Sequence, residues 1–207
     1  SRFTARFSAN LTARFTATDG STMTQSATLN HGAESEWVNV METLFGVSSG
    51  ASVSGTLEIT STRPVFLTSR TFNQTASGTY GQYFPSLTTS EGLGPGRLGV
   101  LPQLKKTAAY RTNIGIVNLG TAQVTALIKL FSSAGVQVGS TKQLVADPGR
   151  WVQQYDIFAN VSAGNQPVAY ATVEVQNTGD LVWAYASVID VATGDPTTIP
   201  LLVAPTQ

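Results

Sequence analysis

Cysteine is absent from the 207 residues, which excludes disulfides and thiolate metal sites without assigning a compartment. Charge is scarce. Asp, Glu, Lys and Arg make up 12% of the chain, about half the roughly 25% of an average soluble domain, and the 12 basic and 12 acidic side chains cancel. Nucleic acid is excluded as a natural partner, since binding it takes a basic stripe. No apolar run approaches the roughly 18 residues of a membrane-crossing helix, so no membrane insertion is expected. No signal-like stretch follows Ser1, so if the chain is exported its leader is expected to have been removed already or left out of this sequence. With a single histidine, His31, there is little for acid–base catalysis to work with.

What the chain has in place of charge is Thr, Ser, Asn and Gln, a bias that points to secreted β proteins. It also repeats itself. Trp37-Val38 recurs as Trp151-Val152, Phe45-Gly-Val-Ser-Ser-Gly50 as Phe158-Ala-Asn-Val-Ser-Ala-Gly164, Thr56-Leu-Glu-Ile-Thr60 as Thr172-Val-Glu-Val-Gln176, and Pro85 as Pro200, at nearly constant spacing. A tandem duplication of one β-rich unit is expected, with a first repeat over 1–89, a Gly/Pro linker over 90–97 and a second repeat over 98–207. Each repeat is long enough to bury its own core.

In the second repeat Val124, Ala126, Ile128 and Leu130 alternate with Thr125, Leu127, Lys129 and Phe131, the period of a strand. Val173 and Val175 alternate likewise, and Leu181 to Ile189 is apolar on both faces, as a central strand is. Turns are signalled at Ser132-Ser-Ala-Gly135, Asp147-Pro-Gly149, Asn177-Thr-Gly-Asp180 and Thr193-Gly-Asp-Pro196. Asp156 to Asn160 and Glu42 to Gly46 each read as one helical turn that drops a Phe into the core. These patterns predict an all-β chain of two tandem antiparallel sandwiches.

Leu98 to Pro102 reads as an opening strand pairing with Tyr110 to Asn118, whereas the first repeat begins directly at Arg2-Phe-Thr-Ala-Arg-Phe7. The first repeat therefore lacks a strand that the second has, either because the chain begins after it or because the vacancy is real. A vacant edge invites strand addition. The apolar segment Ile199-Pro-Leu-Leu-Val-Ala-Pro205 is a candidate donor, from the same chain or a neighbour. Ile199, Leu201, Leu202 and Val203 are its interaction residues.

Tyr110-Arg-Thr-Asn-Ile-Gly-Ile-Val-Asn118 and Tyr185-Ala-Ser-Val-Ile-Asp-Val-Ala-Thr-Gly-Asp195 resemble the strand and hairpin patterns of tandem immunoglobulin-like modules of secreted bacterial proteins. The resemblance implies an immunoglobulin-like sandwich, an extracellular or cell-surface location and no catalytic residue. The first repeat departs from the pattern in its missing strand and in Ser69-Arg-Thr-Phe-Asn73.

The search for chemistry returns little. His31 stands in a turn without a recognisable nucleophile. His31, Glu34 and Glu36 have no spacing that fixes a metal, and Asp190 and Asp195 supply too few oxygens for calcium and suit a turn. Gly92-Leu-Gly-Pro-Gly96 leads into a strand and not a helix, so it is no phosphate cradle. No catalytic, cofactor or metal site is expected. Trp37 and Trp151 are assigned to the two cores. Trp183 and Tyr185 share a strand face, and if the opposite face of Val182, Ala184 and Ala186 is the core, they form an outward patch for a partner or a glycan. Two readings follow: a non-catalytic structural or adhesive module that associates with itself or another surface protein by strand addition, and a carbohydrate- or partner-binding accessory module.

Overall fold

The structure, a computed structural model, describes residues 2–5, 8–76 and 78–203. It is all-β with antiparallel sheets and divides into two compact units, Ser1–Thr71 with Tyr83–Leu87, and Phe72–Gln82 with Thr88–Gln207.

The first unit is built from β1 (Arg2–Ala5), β2 (Ala9–Ala17), β3 (Thr22–Leu29), β4 (Glu34–Glu36), the helical turn α1 (Val40–Thr43), β5 (Gly55–Ser61), the first part of β6 (Val65–Thr75) and the end of β7 (Gly78–Pro85), the residues of β6 and β7 within Phe72–Gln82 belonging to the second unit. The strands form one sheet of order β4-β1-β6-β7 and another of order β3-β2-β5. Alternation along β2 buries Ala9, Leu11, Ala13 and Phe15. Ala9, Leu11 and Leu29 meet Trp37, Val65 and Leu67, so the inner faces of the two sheets share one core. Phe15 and Phe45 extend it, their ring centroids 6.1 Å apart. Phe45 lies just beyond the helical turn, which starts earlier than its sequence suggests, at Val40 behind the left-handed residue Asn39.

In the second unit the elements are β8 (Gly99–Lys106), β9 (Tyr110–Asn118), β10 (Val124–Ser132), β11 (Gln137–Ala146), β12 (Trp151–Gln154), the helical turn α2 (Ile157–Asn160), β13 (Gln166–Glu174), β14 (Val182–Asp190), β15 (Pro196–Pro200) and β16 (Leu202–Val203). Their sheets have orders β12-β9-β14-β15 and β11-β10-β13-β8-β16. The expected inward residues of β10 are buried, α2 carries Phe158 fully into the core, and β14 is buried on both faces. Asp156 begins α2 in the left-handed conformation, caps it by accepting from Ala159 N, and pairs with Lys106 Nζ.

Three expectations change. The opening strand β8 pairs with β13 and β16 in the opposite sheet from β9. Its Leu101 and Leu104 are fully buried, and reaching the core takes it across to the other sheet. Pro102 lacks an N–H and Gln103 takes a left-handed φ of 57°, which fits the register shift of β8 against β13 there. The segment expected as a linker, 90–97, sends Leu93 into the second unit's core with 0% exposure, and Leu93 exchanges backbone hydrogen bonds of 2.7 and 3.1 Å with Val182. Finally, Trp151 lies on β12 opposite Val117, on the face away from the buried Ile114 and Ile116. Trp37 packs in a core but follows its strand instead of lying on it.

Candidate interaction surfaces

The clearest contrast between the units concerns one sheet edge. Strand β13 is hydrogen-bonded on both sides, to β10 and to β8, whereas β5 pairs with β2 and, among the described residues, with no second strand. The packing differs accordingly. Ala171 and Val173 on β13 face the core at 0% exposure, covered by β8, which sets Leu101 opposite Ala171 and Gly99 opposite Val173. Leu57 and Ile59 on β5 face their core too, packed against the Phe15 cluster, yet both stay half-buried. An edge that pairs with no second strand among the described residues, beside half-covered aliphatic side chains, is a template for another strand.

Trp183 and Tyr185 do share a face, stacked with centroids 5.7 Å apart, but it is not an outward patch. They are 6% and 4% exposed. Tyr185 Oη accepts from Trp151 Nε1 at 3.0 Å and donates to Gln153 Oε1 at 2.8 Å, and on the same face Ser187 Oγ donates to Gln82 Oε1 at 2.8 Å. Burial pushes the Tyr185 phenol up to about 12, the hydrogen bond from Trp151 opposing the shift. A face whose rings are covered and whose polar tips are engaged offers no platform for stacking sugars. The well-exposed aromatics lie elsewhere, at Phe66, Tyr83 and Tyr155, the last with Arg111 over its ring at 4.4 Å.

The terminal segment is likewise used within its own unit. Ile199 pairs with Ala186 and lines an open groove of about 470 Å³ beside Lys105, Tyr110, Asp190 and Asp195. Leu201 is 8% exposed, donates its backbone N–H to Ala184 O at 3.1 Å, and seals the space above Gly99. Leu202 and Val203 pair with Val100 and Gly99. These four residues are therefore not a free donor strand; the rest of the proposed donor, 204–205, lies outside the described residues.

The remaining candidates take structural positions. Asp190 Oδ1 accepts from Ala192 N at 2.8 Å and Thr193 N at 3.1 Å, closing the β14–β15 turn. His31 donates its backbone N–H to Ser8 Oγ at 3.2 Å. No group of three His, Asp or Glu side chains converges among the described residues.

Sequence reasoning placed the opening strand beside the wrong neighbour. Pairing the opening strand with β9 hid the fact that β13, and by the same strand order β5, is the neighbour that matters. The signal was the spacing of Leu101 and Leu104, apolar positions with nothing to fill in β9's own sheet.

No family model matches the chain, and no curated protein matches it. A solved structure titled Crystal Structure of Thermotoga maritima 1070 aligns with 11% identity and a TM-score of 0.40, over 56% of this chain and 97% of that one. A likeness of that size does not establish a shared fold.

Proposed function

We propose that this chain is a non-catalytic structural or adhesive module of a secreted or cell-surface protein, and that it associates with itself by strand addition at the open edge of β5. The observation that carries the reading is that β5, among the described residues, pairs on one side only, beside half-covered Leu57 and Ile59, at the place where the second unit has β8. By area, covering such a side chain more fully is worth about 1 kcal/mol, and each edge hydrogen bond adds roughly 0.5–1.5 kcal/mol.

The finer fold reading, a tandem duplication of an immunoglobulin-like sandwich, is part of the same proposal. Supporting it, the orders β4-β1-β6-β7 and β3-β2-β5 run through the chain in the same sequence as β12-β9-β14-β15 and β11-β10-β13, leaving β8 and β16 without counterparts among the described residues. Both units also place a left-handed residue, Asn39 or Asp156, before their helical turn. The low charge and the Thr- and Ser-rich surface favour the extracellular assignment.

Light scattering across a concentration series tests the reading. A mass rising above 21.8 kDa is expected, and a mass that stays at 21.8 kDa at every concentration overturns it.

A further inference from the structure

We propose that the groove of about 470 Å³ between β8 and the β14–β15 hairpin binds a lysine side chain carried by a partner polypeptide. The site is built within the second unit, so the inference stands whether or not β5 is where the chain associates.

Strand alternation makes the floor. On β14, Ala184, Ala186 and Val188 stand opposite Ile116, Ile114 and Thr112 of β9 and so face the core. Val188 is 8% exposed, and Asp190, two residues on, carries the same face out to the mouth opposite Tyr110. Strand β15 mirrors this course, with Ile199 opposite Ala186 and Thr197 opposite Val188. Asp195, two residues before Thr197, returns beside Asp190, whose N–H donates to Asp195 O at 3.0 Å. Leu104, fully buried, closes the floor from β8. An aliphatic floor therefore ends in two carboxylates side by side, and the volume is within the roughly 300–1,000 Å³ of ligand sites.

Facing like charges on a strand pair repel, and no ion pair neutralises these two among the described residues. Asp190 Oδ1 accepts from the turn at Ala192 N and Thr193 N, which leaves Asp190 Oδ2 and both Asp195 carboxylate oxygens without a hydrogen bond. The groove's own cation, Lys105, is held over the Tyr110 ring, 5.1 Å from its centroid. The complementary occupant brings positive charge to the mouth and an apolar stem to the floor. Lysine does both, since its methylenes lie along apolar surface while the ammonium stays at the polar rim. A compact ammonium with three donors can meet oxygens from two separate carboxylates, whereas the planar arginine fork matches one. Calcium needs six to eight oxygens and makes no use of the floor. The rim side chains of Gln103 and Thr197 form no hydrogen bond among the described residues and are placed to take main-chain amide groups on either side of the lysine, which favours a polypeptide over a free amine.

Titration of the isotope-labelled chain with Nα-acetyl-lysine N-methylamide, followed by amide chemical shifts at low salt, tests the proposal. Saturable shifts are expected at Lys105, Thr197 and Ile199, and high salt should weaken them. Asp195→Asn, at an exposed side chain that makes no hydrogen bond, is expected to fold and to bind about tenfold more weakly. The norleucine counterpart, which keeps the apolar stem and lacks the charge, should not bind the native chain, a comparison that needs no variant. Absence of saturable shifts, equal binding to Asp195→Asn, or equal binding of the norleucine compound overturns the site. Equal or tighter binding of the arginine counterpart overturns the choice of lysine, and equal binding of butylamine overturns the choice of a polypeptide.

Discussion

Trp151, on β12, donates its indole N–H to the phenol oxygen of Tyr185, on β14, across β9 at 3.0 Å, and Tyr185 donates its own O–H to Gln153 Oε1 at 2.8 Å. Tyr185→Phe keeps the ring and removes both bonds. We expect a loss of about 1–2 kcal/mol, read as a lower midpoint in urea with an unchanged slope. An unaltered midpoint would mean that the bonds contribute nothing net.

The same phenol makes stability pH-dependent at the alkaline end. In the unfolded chain it ionises at its ordinary 10, and in the folded protein at about 12. Its contribution is therefore fully present below pH 10 and is lost as pH rises through about 12, because the unfolded state releases the proton first. By the time the pH reaches about 12 the loss is about 2 kcal/mol. Denaturant unfolding of the native chain and of Tyr185→Phe, followed as the pH rises from 10 to about 12, should show a steeper decline for the native chain.

Tyr185 also requires a glycine across from it. A Cβ at Gly115 would lie 2.5 Å from Tyr185 Cε1 and 2.6 Å from Cζ, and the ring is held at its tip by two hydrogen bonds. Gly115→Ala should destabilise the second unit by about 1–3 kcal/mol, the range of overpacking, and combining it with Tyr185→Ala should recover part of that loss. Strict additivity in the double-mutant cycle would contradict the contact.

Asn118, 1% exposed, ties the β9–β10 loop to the end of β11. Its Nδ2 donates to Ala122 O and Ala146 O, each at 2.8 Å, and its Oδ1 accepts from Gly120 N at 2.8 Å. Asn118→Ala leaves those buried groups unpaired and is expected to cost about 2–4 kcal/mol, measured by thermal or chemical unfolding. Asn118→Asp should be nearly as harmful, because it replaces two donors with an acceptor.

Matched truncations compare the two edges. Leu101→Ala removes a fully buried side chain and should cost about 2–5 kcal/mol. Leu57→Ala, at a half-buried site, should cost about 1 kcal/mol in dilute solution and more once association covers it. Equal costs at all concentrations would mean that β5 is already covered.

The sequence announced the strands where burial was one-sided or complete. Val124 to Leu130 and Val182 to Ile189 read as inward alternation and as a central strand because their side chains go where hydrophobicity sends them. Two features were hidden for physical reasons. A strand's periodicity does not say which neighbour it pairs with, so β8 was placed beside β9 when its Leu101 and Leu104 belong in the other sheet. Nor does a repeated Trp-Val pair fix equivalence. Counting back from the left-handed Asn39 and Asp156, the position of Trp151 in the first unit falls on Glu34, not on Trp37. Trp183 and Tyr185 misled in another way: apolar on both faces, β14 gives no sign of which face is covered, and here both are.

Amide hydrogen exchange along β5, followed from dilute to concentrated protein, tests the central claim most directly. Strand addition at this edge requires that the amides of Leu57 and Ile59, which point away from β2, gain protection as concentration rises, while those of β13, already paired on both sides, do not change. Exchange at β5 that is independent of concentration would contradict it.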